Sequence, residues 1–294
     1  MHIVVGYMAT SSGEDGLSLG VVIARSLGAA IDICLVIQHE HTVPARVPAD
    51  PGYEAVLIEH TREWLTEAQK AVPDDVEAQT HLSYHESPAQ GLLEEATRLD
   101  AQAIVIGAAD HGLLGRHSLG TVSTELLHSS HVPVALAPRG IRHSKATRVR
   151  ELTCAIETQP GADALVQSAV RTCQLMHAPL RLVSLVAIAH PLLARRGGNV
   201  HANEAALRQA QESLDGARSL VPAEVPVTTR VAQGATVEEA VTNLEWQDGD
   251  LLMVGSSSLA SPRRLFLSSK AAKMLRVVPV PMVVVPYHES AESE

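Results

Sequence analysis

Ala103-Ile104-Val105-Ile106-Gly107 is followed by a polar, glycine-containing loop and then by Val132-Pro133-Val134-Ala135-Leu136-Ala137-Pro138. The same order returns as Leu251-Leu252-Met253-Val254-Gly255, a serine-rich loop, and Val280-Pro281-Met282-Val283-Val284-Val285-Pro286. Gly107 and Gly255 lie 148 positions apart (255 − 107), and so do Pro133 and Pro281 (281 − 133). An offset that stays constant across a loop and the segment after it marks an internal duplication. The beginnings of the halves agree as well, Ile3-Val4-Val5-Gly6-Tyr7 with Leu152-Thr153-Cys154-Ala155-Ile156 at an offset of 149 (152 − 3), so one single-residue indel reconciles the copies.

Working outward, short β-branched runs alternate with longer segments of helical period, the pattern of parallel strands joined by crossover helices. The first half predicts strands near 2–7, 31–37, 76–84, 103–107 and 133–137, with helices near 14–27, 53–71, 87–99 and 118–129. The second predicts strands near 151–156, 180–186, 225–231, 250–255 and 281–285, with helices near 161–175, 203–220, 236–246 and 267–276. Leu92, Leu93, Ala96 and Leu99 form one apolar stripe that should face a sheet. The Pro-, Gly- and His-rich segments 38–52 and 187–202 read as mobile surface loops. The expectation is two tandem five-stranded parallel α/β sandwiches, Rossmann-like, pseudo-two-fold related and each with its own core. One domain spans 1–140 and the other 151–294, joined by a solvated linker at 141–150.

Composition narrows the function. The 294 residues carry 23 Lys and Arg against 33 Asp and Glu, a formal charge of −10 that disfavours broad contact with nucleic acid. Aromatic residues are 2% of the chain, too few for a base-stacking platform. Nothing approaches the roughly 20 apolar residues of a membrane span, and the chain reads as cytoplasmic. Cys34, Cys154 and Cys173 show no metal-ligand spacing and read as small buried hydrophobes.

A strand, a glycine-containing loop, a helix and a proline-started last strand, twice over, resemble the universal stress protein family, of the fold shared with adenine nucleotide alpha hydrolases. Nucleotide-binding members carry a G-x2-G-x9-G-(S/T) loop whose glycines let backbone N–H groups approach phosphate, with a hydroxyl at the next helix's N-terminus. In the first half this series reads Gly107, Asp110, Gly120, Thr121, followed by Val122 and Ser123 and preceded by Ile106. Asp110 replaces a glycine and would repel a polyphosphate unless a cation intervened. In the second half it reads Gly255, Ser258, Ser268, Ser269, preceded by Val254, with Arg263, Arg264 and Lys270 supplying positive charge. The family's acid at the end of the first strand is Met8 in one half and Glu157 in the other. Val36 and Leu185, on the second strands, would wall an adenine.

The resemblance thus implies an adenine nucleotide such as ATP, with Mg²⁺, held by one of two eroded loops, in a stress-response regulator. It also implies intrachain pairing of the halves through their last strands, at 133–138 and 280–286, and a homodimer. A scaffold or chaperone-like protein that has lost the nucleotide is the alternative. His39-Glu40-His41 and His85-Glu86 are not expected to hold a metal. His111, His117, His128 and His131 surround the first loop as candidate anion contacts. No catalytic residue is expected, since neither a G-x-S-x-G elbow nor a P-loop is present.

Overall fold

A computed structural model describes residues 1–38, 51–108, 119–157, 162–188, 199–257 and 265–286. In the first half β1 (His2–Gly6), α1 (Ser11–Leu27), β2 (Ala30–Gln38), α2 (Pro51–Lys70), β3 (Ala78–His85), α3 (Pro88–Arg98), β4 (Ala101–Gly107), α4 (Thr121–Ser129) and β5 (Val134–Ala137) follow one another. The second half repeats the order with β6 (Glu151–Ile156), α5 (Ala162–Met176), β7 (Leu180–Ala187), α6 (Asn199–Ser219), β8 (Val227–Gly234), α7 (Val237–Thr242), β9 (Asp250–Gly255), α8 (Ser269–Val277) and β10 (Met282–Val285). Helix starts follow local chemistry. Thr10, Ser87, Thr236 and Ser268 each accept a backbone N–H of the first turn, and Pro88 pre-sets φ at the start of α3. The helix expected over 236–246 ends at Thr242, because the chain turns there to seat the Trp246 ring, whose Nε1 donates to the Val241 carbonyl at 3.0 Å. The loops expected at 38–52 and 187–202 fall mostly outside the described residues.

The strands lie in the order β3-β2-β1-β4-β5-β10-β9-β6-β7-β8, a ten-stranded sheet that is parallel within each half. β5 and β10 meet antiparallel, with Leu136 opposite Met282 and Val134 opposite Val284. Gly107 and Gly255 occupy equivalent places, each ending the strand beside its half's last strand, opposite Ala137 and Val285. The expectation of two independent cores is therefore corrected. One apolar layer, on one face of the sheet, joins Ile3, Val5 and Ile31 to Leu152, Leu180 and Val283. The layer on the other face joins Val4, Ile104 and Val134 to Leu252, Met282 and Val284. The pleat runs unbroken across the seam, so alternate residues of β5 and β10 feed the same two layers.

The stretch expected as a solvated linker keeps His143, Lys145, Thr147, Arg148 and Arg150 exposed and is anchored at several points. Arg142, on a single 3-10 turn over Ile141–His143, is bound by Asp15, which is 1% exposed. The Asp15 carboxylate accepts N–H groups from Gly140 at 2.7 Å and Arg142 at 3.0 Å, and pairs with Arg142 Nη1 at 3.0 Å. The Val149 N–H donates to Ser26 Oγ at 2.8 Å, and Arg25 Nη1 donates to the Thr147 carbonyl at 3.1 Å. Of the basic residues here, Arg142 reaches α1, and Arg150 pairs with Asp250 and Glu151 of the second copy.

Candidate functional site

In an open parallel sheet, ligands settle at the carboxyl ends of the strands, where helix N-termini converge. At that edge of the first half β1, β2, β4 and the starts of α1, α3 and α4 enclose a cavity of about 320 Å³, in the size class of small-molecule pockets. Val36, Leu92 and Ile106 supply apolar walls, and Gly120, Thr121, Val122 and Ser123 bring the start of α4 to the opposite side. Gly120 caps α4 with no side-chain hydrogen bond, so among the described residues no side chain takes the first-turn N–H groups beside the cavity. The structure thus brings together Val36, Ile106, Gly107, Gly120, Thr121, Val122 and Ser123, while Asp110 lies outside the described residues.

Gly107 also has a steric role. A Cβ there would stand 1.8 Å from the Ser12 carbonyl oxygen, so the glycine lets the start of α1 rest on the end of β4. Met8, 64% exposed, stands at the rim in place of an acid. The lining also includes Tyr7, Thr10, Cys34 and Pro88, which the loop pattern does not single out. Two of these carry legible signals: Thr10 three residues before Gly13 is an N-cap, and Ser87-Pro88 is a cap followed by a first-turn proline. Burial, with Glu14 and Glu67 nearby, raises the Tyr7 phenol, and burial raises the Cys34 thiol above its usual range, so both stay neutral.

The equivalent place in the second half is built differently. Ser268 stands where Gly120 does and caps α8 itself, its Oγ accepting the Ala271 N–H at 3.0 Å. Lys270, in the place of Val122, reaches Glu157 with Nζ at 3.9 Å from Oε1. Ser256 Oγ accepts the Phe266 N–H at 2.7 Å, and the Ser257 N–H donates to the Phe266 carbonyl at 2.9 Å. Leu185 and Val254 are buried in the core at 7% and 3% exposure. Gly255 has only ordinary contact, its nearest neighbour standing 3.4 Å from the position of a Cβ. Ser258 and Arg263 lie outside the described residues. The charge and hydroxyls read as phosphate donors at Lys270, Ser256 and Ser268 are engaged within the protein.

Two histidines read as anion contacts sit at the far end of α4. His128 Nδ1 is 2.6 Å from the Thr124 carbonyl with its ring edge-on to Phe266, and His131 Nε2 is 3.3 Å from Thr97 Oγ1. His111 and His117, and the His39-Glu40-His41 run, lie outside the described residues. His85 accepts the Ser87 N–H at 2.9 Å and lies 3.5 Å from Glu94.

Fold and cleft define a tandem α/β protein with a cavity at the carboxyl ends of its first copy's strands. The model of the universal stress protein family (Usp) matches residues 1–138 and 149–286, and the chain belongs to that family. Universal stress proteins Mb2346c of Mycobacterium bovis and Rv2319c of Mycobacterium tuberculosis are each 29% identical over 97% of this chain and all of their own length. Among solved structures, a universal stress protein from Archaeoglobus fulgidus is similar over 97% of this chain and 98% of its own, with a TM-score of 0.66 at 16% identity. Protein PA1789 of Pseudomonas aeruginosa PAO1 is similar over 97% and 92%, with a TM-score of 0.57 at 14% identity. No helix among the described residues is long and apolar enough to cross a membrane.

Proposed function

We propose that the first copy binds an adenine nucleotide in the cleft between β1, β4 and α4, and that the second copy serves as its structural partner in a nucleotide-responsive regulator. The observation that carries this reading is the contrast between the two helix starts. Gly120 leaves the α4 N-terminus uncapped over a cavity, whereas Ser268 caps α8 with its own hydroxyl. An uncapped N-terminus attracts phosphate through its N–H groups and the helix dipole. Val36, Leu92 and Ile106 form an apolar wall on which a purine fits.

The role is binding and not turnover. The described lining holds no carboxylate, imidazole or amine that could serve as a general base. It also holds no cationic side chain, so phosphate charge is met by the helix start, and ATP with Mg²⁺ is the first ligand to try. The experiment is native mass spectrometry of the purified chain. A nucleotide-sized mass adduct, restored after stripping by added ATP, supports the reading. A bare mass that millimolar ATP and Mg²⁺ leave unchanged favours the nucleotide-independent scaffold instead.

A further inference from the structure

The duplication puts Asp32 on β2 and Arg181 on β7 in the same place, 149 positions apart (181 − 32). The sheet registers agree: Asp32 stands opposite Gln79 and Arg181 opposite Thr228, again 149 apart (228 − 79). His2 and His81 correspond in the same way to Glu151 and Arg230. One copy therefore holds a buried carboxylate between two imidazoles, and the other a buried guanidinium beside a carboxylate and a second guanidinium. Asp32 is satisfied on both oxygens, by His2 Nδ1 at 2.8 Å and His81 Nε2 at 2.7 Å.

Arg181 is not. It is 8% exposed, donates from Nε to Thr153 Oγ1 at 2.9 Å and from Nη1 to the Glu245 carbonyl at 3.1 Å, and lies 5.0 Å over the Trp246 ring. Its buried Nη2 has no hydrogen-bond partner among the described residues, with Asp250 Oδ2 at 3.8 Å. Arg181 lines a cavity of about 310 Å³ together with Arg150, Arg230, Thr228, Thr229 and Glu245. No aliphatic or aromatic side chain lines it. Arg150 is tied to Asp250, Nε to Oδ1 at 2.7 Å, and Glu151 lies 3.3 Å from Arg181 and 3.4 Å from Arg150. Three carboxylates, engaged Asp250 and Glu151 and exposed Glu245, stand among the three guanidiniums, and exposed Arg230 is the least engaged of the cations, with a 3.5 Å contact to the Asn243 carbonyl among the described residues.

We propose that this cavity, at the amino ends of β6, β7 and β8, is a second ligand site that takes a small phosphate oxyanion. Arg230 and Arg150 grip the anion, Thr228, on the same face of the sheet as Arg181, donates its hydroxyl, and Arg181 holds a fixed positive charge beneath it. A lining of guanidinium and hydroxyl groups without apolar wall suits a compact, multiply charged anion better than an organic acid with an apolar body. A buried charge that water cannot screen strengthens the attraction.

The test is calorimetric titration of inorganic phosphate and of phenyl phosphate at constant ionic strength. The wild-type chain is expected to bind phosphate, Arg230→Gln to weaken it at least about tenfold, and Glu245→Gln to tighten it. Thr121→Glu, in the other copy's cleft, is expected to leave it unchanged, which separates this site from the nucleotide reading. Phenyl phosphate binding as tightly as phosphate identifies an ester-borne group as the occupant, and its exclusion identifies the free ion. Arg230→Gln alters an exposed side chain, so its unliganded melting temperature should match wild type. No binding at millimolar phosphate, or equal affinity in Arg230→Gln, overturns the proposal.

Discussion

The carbonyl oxygen of Ser12 lies 1.8 Å from where a Cβ on Gly107 would stand, so the first turn of α1 occupies the space a side chain would need. Gly255, the duplicated position, meets nothing closer than Leu165 at 3.4 Å. The same glycine is thus required in one copy and tolerated in the other. Gly107→Ala must push α1 off the end of β4 and should cost about 3 kcal/mol or more. Gly255→Ala should be neutral or stabilise by up to about 1 kcal/mol, by narrowing the unfolded ensemble. Urea unfolding of the two variants checks this, and equal midpoints would contradict it.

Acid should loosen the contacts around the connecting segment at 140–150. The Ser144 hydroxyl, then the backbone amides of the Lys145 turn, hold the Asp248 carboxyl below its ordinary 3.8, and Arg25 does the same for Asp75. A carboxyl depressed in the folded chain contributes stability that is complete above its unfolded value and is lost as pH falls through the folded one. Both groups face solvent, which keeps the effect small. The melting temperature of wild type should therefore fall more steeply below about pH 4 than that of Asp248→Asn. Parallel curves would sink the assignment.

Cys34 borders the cleft of the first copy yet should be chemically silent. Burial raises its thiol and that of Cys154 above the usual range, and pushes Cys173 up to about 12. The thiolate is the reactive form. Iodoacetamide at mildly alkaline pH should leave the native chain unmodified, with or without ATP, and label three sites in denaturant. Native labelling of Cys34, read by peptide mass spectrometry, would show an open or activated thiol.

Most of the fold was legible because the pattern was written twice. Runs such as Ile3-Val4-Val5 and Leu251-Leu252-Met253-Val254 are apolar at every position, as strands covered on both faces must be. Pairing of the halves through 133–138 and 280–286 was implied by the resemblance, but the fused core was not legible, since Val134 to Ala137 and Met282 to Val285 read the same whether the layers they cover are shared or separate. Part of the cleft lining was legible as well: loop spacing pointed to Gly120 and Thr121, whereas Thr10 and Pro88, whose capping chemistry is a readable signal, were not singled out. The engagement of Lys270 by Glu157, and the displacement of His128 and His131 to the far end of α4, depend on contacts between distant segments. The Asp32 and Arg181 correspondence was present in the 149-residue offset, but its meaning needed Arg181 Nη2 to be seen without a partner.

The unequal helix starts at Gly120 and Ser268 are tested most directly by titrating ATP with Mg²⁺ into wild type, Thr121→Glu and Ser269→Glu. Each substitution sets a carboxylate on the first turn of a helix, where it does not disfavour the helix itself. One equivalent should bind wild type, Thr121→Glu should lose at least about tenfold in affinity, and Ser269→Glu should match wild type. Loss of binding in Ser269→Glu with Thr121→Glu unaffected would place the nucleotide in the second copy and contradict the account.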